Sequence, residues 1–134
     1  MAIIELLGRV LLALIFILAG LNKIPNFTKV AEGMAQHRVP LPEAALIATI
    51  LIEVLGGLAI AIGVRTRAAA TVLVAWLLVV TVVYHTNLVV QHPEDQTIQF
   101  LKNLAILGGL LGLVARGPGK ISFDERPRRN RLEV

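Results

Sequence analysis

Cysteine is absent from all 134 residues. That excludes disulfides, thiolate nucleophiles, iron–sulfur ligation and covalent haem attachment through this chain, and leaves the redox compartment open. Charge is scarce as well. Charged residues make up 16% of the chain, against about 25% in ordinary globular domains, and most of them fall in short clusters between long apolar runs. Hydrocarbon takes their place: 56% of residues are hydrophobic and mean hydropathy is +0.76. A one-domain soluble core has no use for so much apolar surface. The net charge of +4 would ordinarily raise nucleic acid as a partner. Arg126, Arg128, Arg129 and Arg131 supply much of it from a terminal tail, however, and anionic lipid beside a membrane is the simpler counterpart. The expected partner is the lipid bilayer, with no nucleic acid.

A helix needs roughly 20 mostly apolar residues to cross about 30 Å of hydrocarbon. Four segments qualify, approximately 3–22, 43–64, 68–89 and 97–115. No water at that depth satisfies backbone groups, so each is predicted helical throughout. The expected fold is an all-α integral membrane four-helix bundle, residues 1–124, followed by a basic tail over 125–134. Within the tail, Leu132 to Val134 have the character of expression-tag residues and carry no functional reading. Between the first two spans, Phe27, Val30, Ala31 and Met34 recur at i, i+3, i+4 and i+7, which predicts a short amphipathic helix on the membrane surface. A cleaved signal peptide is the competing reading of the first segment; Glu5 and the polar residues after the segment favour a retained span. Glu5 and Arg9, spaced i, i+4, read as a surface ion pair at the boundary.

Lys and Arg placement sets the expected orientation. An even number of spans puts both termini on one side, with the turn at 63–67. Arg9, Arg65, Arg67, Arg116, Lys120 and the four tail arginines collect there, nine of the thirteen basic residues. The positive-inside rule makes that side cytoplasmic, in a multi-pass protein of the cell inner membrane.

The informative residues are polar ones inside the spans, since an ionisable group at the hydrocarbon centre costs about 2.5–3.5 kcal/mol on insertion scales. Counting about 1.5 Å per residue puts Glu53 some 15 Å into the second span, Lys102 about 8 Å deep in the fourth and His85 within about 6 Å of the outer boundary. Lys23 ends the first span at that boundary. Gln99, Lys102 and Asn103 share one helix face, and Thr81 stacks one turn from His85. Turned inward, these faces predict a polar chamber in the outer half, with Asn22 and Lys23 at its rim. The inner half reads as plain Leu, Ile, Val and Ala. Gly108-x-x-x-Gly112 and Gly57-x-x-x-Ala61 in that half suit close helix crossings. Each polar group has a simpler alternative: Glu53 with Lys102 as a structural ion pair, Lys102 snorkelling to the surface, Trp76 as packing. A metal or haem role for His85 with His92 or His37 is the weakest reading.

The pieces Gly20-Leu-Asn-Lys23, Val39-Pro-Leu-Pro42, Glu53-Val-Leu-Gly-Gly57 and Gly63-Val-Arg-Thr-Arg67 are followed by His85, Phe100-Leu-Lys-Asn103 and Gly117-Pro-Gly-Lys-Ile-Ser-Phe-Asp124. In that order they resemble the DoxX family of small four-helix membrane proteins. The resemblance implies a bacterial inner-membrane protein of the group named after a subunit of terminal quinol oxidase and thiosulfate:quinone oxidoreductase. The family's recurring polar positions match Lys23, Glu53, His85 and Lys102. No motif for a bound metal or flavin is present, and no catalytic residue is assigned.

Two functions compete. The first is a redox-linked subunit that binds a quinone or other amphipathic molecule in the chamber, working with membrane or periplasmic partner proteins. Glu53 would exchange protons there while Lys102 and His85 orient polar oxygens. The second is a non-enzymatic scaffold or assembly partner whose intramembrane charges only hold helices together. Transport ranks below both, for want of a polar line through the inner half, unless a homo-oligomer forms the path.

Overall fold

A computed structural model describes residues 1–85 and 93–125, with the side chains of 84–85 and 93–96 outside the description. Five helices follow in order: α1 (Ala2–Lys23), α2 (Phe27–Gln36), α3 (Pro42–Ile62), α4 (Thr66–His85) and α5 (Pro93–Arg116). All but α2 contain a segment long and apolar enough to cross a membrane. The fold is the expected four-helix membrane bundle with one short helix between its first two spans.

Local chemistry sets the element ends. Pro42 opens α3, where its missing N–H costs nothing and its fixed φ is already helical. Gly63 closes the same helix in the left-handed region at φ 84°, with its N–H and that of Val64 both donated to the Ala59 carbonyl. On α1, Arg9, Ala13, Phe16 and Gly20 form the buried stripe. Leu7, Leu11, Leu14 and Leu18 run along the opposite side, exposed. In water such a leucine face would be a liability; against lipid tails it is the ordinary outside of a span.

The helices pack in sequence around the bundle, α1 on α3, α3 on α4 and α4 on α5, while the α1–α5 seam is sparse. The main core joins Ala13 and Phe16 of α1 with Ile60 of α3, Leu73 and Leu77 of α4 and Leu110 of α5. In a second cluster Ala31 and Met34 of α2 meet Leu46 of α3. The apolar face of α2 therefore rests on the bundle, as its i, i+3 spacing requires.

The small residues divide unexpectedly. A Cβ at Gly57 would lie 2.7 Å from Ile17 Cγ1 and 3.1 Å from the Ala13 carbonyl, so this position does mark a close α1–α3 crossing. Gly108 and Gly112 would meet nothing within 4 Å. They face open space, and the crossing expected of them is not made within the chain.

The second departure lies at the end of the bundle holding the termini, where sequence spacing suggested only plain packing and a surface Glu5–Arg9 pair. Arg9 is 2% exposed. Its guanidinium donates to the backbone carbonyls of Pro118, of Ile121 at 2.8 Å and of Ala61 at 3.3 Å, rather than to Glu5. Residues 117–125 fold back beneath the bundle to meet it. Phe123 N–H bonds Ile62 O and Asp124 N–H bonds Gly63 O. The Asp124 carboxylate accepts from Arg65 N–H at 2.7 Å, Thr66 N–H at 3.0 Å and Thr66 Oγ1 at 3.1 Å, capping α4 from across the chain. This clasp ties α1, α3, α4 and the segment after α5 together. The spacing reading failed because those partners are carbonyls brought in from 52 to 112 residues away, which no i, i+4 count can reveal.

Candidate functional site

At the other end of the bundle, a chamber of about 460 Å³ lies among all five helices. The closeness of α1 and α3 sets its central feature. A Cβ on Gly20 would stand 2.6 Å from Val54 Cγ2 and 3.2 Å from Glu53 Cβ, so only glycine lets the α1 backbone approach at this level. Three residues on, Lys23 Nζ reaches Glu53 Oε2 at 2.6 Å. The same ammonium lies 3.4 Å from the Ala19 carbonyl. Glu53 is 8% exposed, and Lys23 is half-buried at the rim.

The remaining polar wall comes from α5 and α4. Gln99 and Asn103 line the chamber, and Asn103 Nδ2 donates to Thr81 Oγ1 at 3.3 Å, while that hydroxyl donates to the Leu77 carbonyl. Thr49, one turn before Glu53 on α3, also lines it and spends its hydroxyl proton on the Ala45 carbonyl. Facing these groups is an apolar wall of Val30 and Met34 on α2, Leu46 on α3, and Trp76 and Val80 on α4.

Of the residues singled out by depth and spacing, Lys23, Glu53, Gln99 and Asn103 line one cavity, and Thr81 touches it through Asn103. Lys102 does not line it and is exposed on α5. The Glu53–Lys102 pair weighed from sequence is replaced by Glu53–Lys23, because the glycine crossing puts α1, not α5, against that carboxylate. An exposed Lys102 near the end of its span suits the snorkelling reading. Asn22 is exposed, and its carbonyl accepts from Asn26 Nδ2 at 2.9 Å. The His85 side chain and the whole of His92 lie outside the described residues, and among those described no cluster of metal-ligating side chains occurs.

Sequence reasoning did not assign Thr49, Trp76, His37 or the aliphatic wall to the chamber. Trp76 was assigned to packing, yet it stands one turn before Val80 on the chamber wall. His37 follows α2 and lines the rim, its Nδ1 2.9 Å from the Gly33 carbonyl. The signal was available: a helix that packs its Val30 and Met34 face onto α3 carries its C-terminal cap to the same opening.

A carboxylate shielded from solvent, an ammonium that neutralises it, two carboxamides and an apolar wall can together hold a molecule with an oxygen-bearing head and a greasy body. Such a site inside four apolar spans defines a small polytopic membrane protein with an intramembrane polar pocket. The DoxX family model matches residues 4–86, and the chain belongs to the DoxX family. It is 33% identical to inner membrane protein YphA of Escherichia coli strain K12, over 92% of this chain and 90% of that protein. It is 35% identical to inner membrane protein YqjF of the same strain, over 89% of this chain and 88% of that one. No solved structure matches.

Proposed function

We propose that the chain is an inner-membrane protein that binds a lipid-soluble molecule, a quinone or a similar amphipath, in the chamber and serves as a redox-linked membrane subunit. The observation that carries this reading is the Lys23–Glu53 pair in a cavity whose other walls are two carboxamides, Thr49, His37 and apolar side chains. A carbonyl or hydroxyl head has donors in Lys23, Gln99 and Asn103. Glu53 can accept a proton as such a head is oxidised and return it on reduction, with Lys23 balancing its charge. No metal or flavin motif accompanies it, so electrons would arrive from a membrane or periplasmic partner. Both relatives are named as inner membrane proteins. The basic residues gathered around the clasp support a cytoplasmic side for both termini, which would put the chamber on the outer side.

The test is native mass spectrometry of protein extracted in mild detergent. Wild-type protein is expected to carry a lipid-soluble molecule, and Glu53→Gln, which keeps size and a hydrogen-bonding head, is expected to lose it while remaining folded. Absence of any bound molecule from wild type, or full retention by Glu53→Gln, would overturn the reading.

The same ion pair favours a second reading, in which the charges only fix the α1–α3 register of a scaffold. Exchanging the partners, Lys23→Glu with Glu53→Lys, separates the two. A scaffold regains its stability and its cellular role together, whereas a ligand site regains stability alone.

A further inference from the structure

A second cavity, of about 580 Å³, shares no residue with the chamber. It opens along the sparse seam between α1 and α5 at the clasp end. Its length follows from its lining, Glu5 to Ile15 on one helix and Ile106 to Arg116 on the other. Ten residues of helix span about 15 Å, the hydrocarbon depth of one leaflet. Leu12, Ile15, Ile106 and Leu113 form greasy walls. Gly8 and Gly112 leave the groove open, since a Cβ on either would meet nothing within 4 Å.

The polar groups gather at one end. Arg9 and Arg116 line the mouth together with Glu5, two cations against one carboxylate. Arg9 is 2% exposed and three backbone carbonyls accept from its terminal nitrogens, yet its Nε–H is buried without a partner. A buried unpaired donor on a cation is costly, and a small turn of the Arg9 side chain toward the groove would let an anionic oxygen at the mouth satisfy it. The carbonyls carry no net charge, and Asp124, the carboxylate whose charge acts on Arg9, is held at the start of α4 and does not line the groove, so Arg9 and Arg116 face the groove against Glu5 alone.

From this combination of one-leaflet length, apolar walls, a net positive mouth and an unpartnered guanidinium N–H, we infer that the α1–α5 seam is a binding site for one anionic phospholipid. Its acyl chain lies along the glycine-floored groove and its phosphate lies between Arg9 and Arg116. Glu5, an acceptor at the same mouth, suits a headgroup that bears hydroxyls rather than a second negative charge. The lipid supplements the direct α1–α5 packing where the seam is sparse.

The experiment is native mass spectrometry of delipidated full-length protein titrated separately with phosphatidylglycerol and phosphatidylcholine of the same acyl chains. Phosphatidylglycerol is expected to bind about fivefold more tightly than phosphatidylcholine, the effect of one net arginine charge beside an anionic head. Arg116→Gln should bring the two lipids to parity. Gly112→Leu, which fills the groove, should remove tight binding of both. Gly108→Leu, a neighbour on the same helix with equally open surroundings but outside the groove, should bind like wild type. If Gly112→Leu does not fold, Gly8→Leu on the facing wall takes its place. Equal binding of the two lipids by wild type, unchanged binding by the groove-filling variant, or equal loss in Gly108→Leu would each overturn the inference. Retention of the chamber's own ligand is read on the same variants before delipidation, so the two sites fail or stand separately.

Discussion

Glu53 is nearly buried halfway along a span, where water is scarce and an unpaired charge is costly. The Lys23 ammonium at 2.6 Å offsets that cost, but breaking such a pair is far worse than deleting it. Removal of one partner from a buried pair costs about 3–5 kcal/mol, whereas replacing both by apolar residues of similar volume is often neutral or stabilising. Lys23→Met alone is therefore expected to lower the thermal midpoint in detergent sharply, and Lys23→Met with Glu53→Leu to restore it. If the doubly substituted protein is as unstable as the single one, the charges have a structural role that apolar packing cannot replace. Conversely, a stable double variant that no longer retains a chamber ligand shows what the pair is for.

At the scale of elements, two devices hold the spans in place, and they differ in how openly the sequence announced them. The α1–α3 crossing was readable: Gly57 with Ala61 is a small-residue spacing, and the close approach at Gly57 follows from it. Gly57→Val is expected to cost about 1–3 kcal/mol through overpacking, because one of the atoms it meets is the Ala13 carbonyl oxygen, part of the backbone and unable to step aside. Periodicity likewise predicted the amphipathic α2, and depth counting found Glu53, since both signals are local. The clasp was not legible. Arg9 looks like the partner of Glu5 until residues 117–125 return beneath the bundle, and the same chemistry, a cation with neighbouring acceptors, is then satisfied from elsewhere. Which of Lys23 and Lys102 meets Glu53 was equally hidden, being decided by helix order around the bundle. The clasp carries its own pH signature. Burial alone would raise the Asp124 carboxyl, but hydrogen bonds from Thr66 and Arg65 and the charge of Arg9 outweigh it and hold the group below its usual range. A carboxylate so depressed stabilises the fold fully above its unfolded value, near about 3.9, and loses that contribution as pH falls through the lower folded value. Asp124→Asn should thus destabilise the protein by about 0.5–2 kcal/mol at neutral pH, as for a lost helix cap. The gap to wild type should close in acid below about pH 4; a gap that persists there would mean that the ionised carboxylate is not what caps α4.

For the whole molecule, the two ends of the bundle are chemically unlike. The clasp end ties Arg9 to carbonyls and Asp124 to the start of α4, and turns Arg9 and Arg116 toward a groove against one carboxylate. The chamber end faces its cavity with two carboxamides and an ion pair. That asymmetry, together with the basic residues gathered around the clasp, gives the bundle a direction in the membrane, and the absence of cysteine makes the direction measurable without background. Lys120→Cys sits on an exposed part of the clasp and Glu32→Cys on the exposed face of α2. With the termini cytoplasmic, a membrane-impermeant maleimide applied to intact cells should label Glu32→Cys and leave Lys120→Cys unmodified until the membrane is permeabilised. The reverse pattern would put the chamber on the cytoplasmic side. A redox partner for the proposed chamber ligand would then have to be sought there, on the side where Lys23 and Glu53 stand at the chamber.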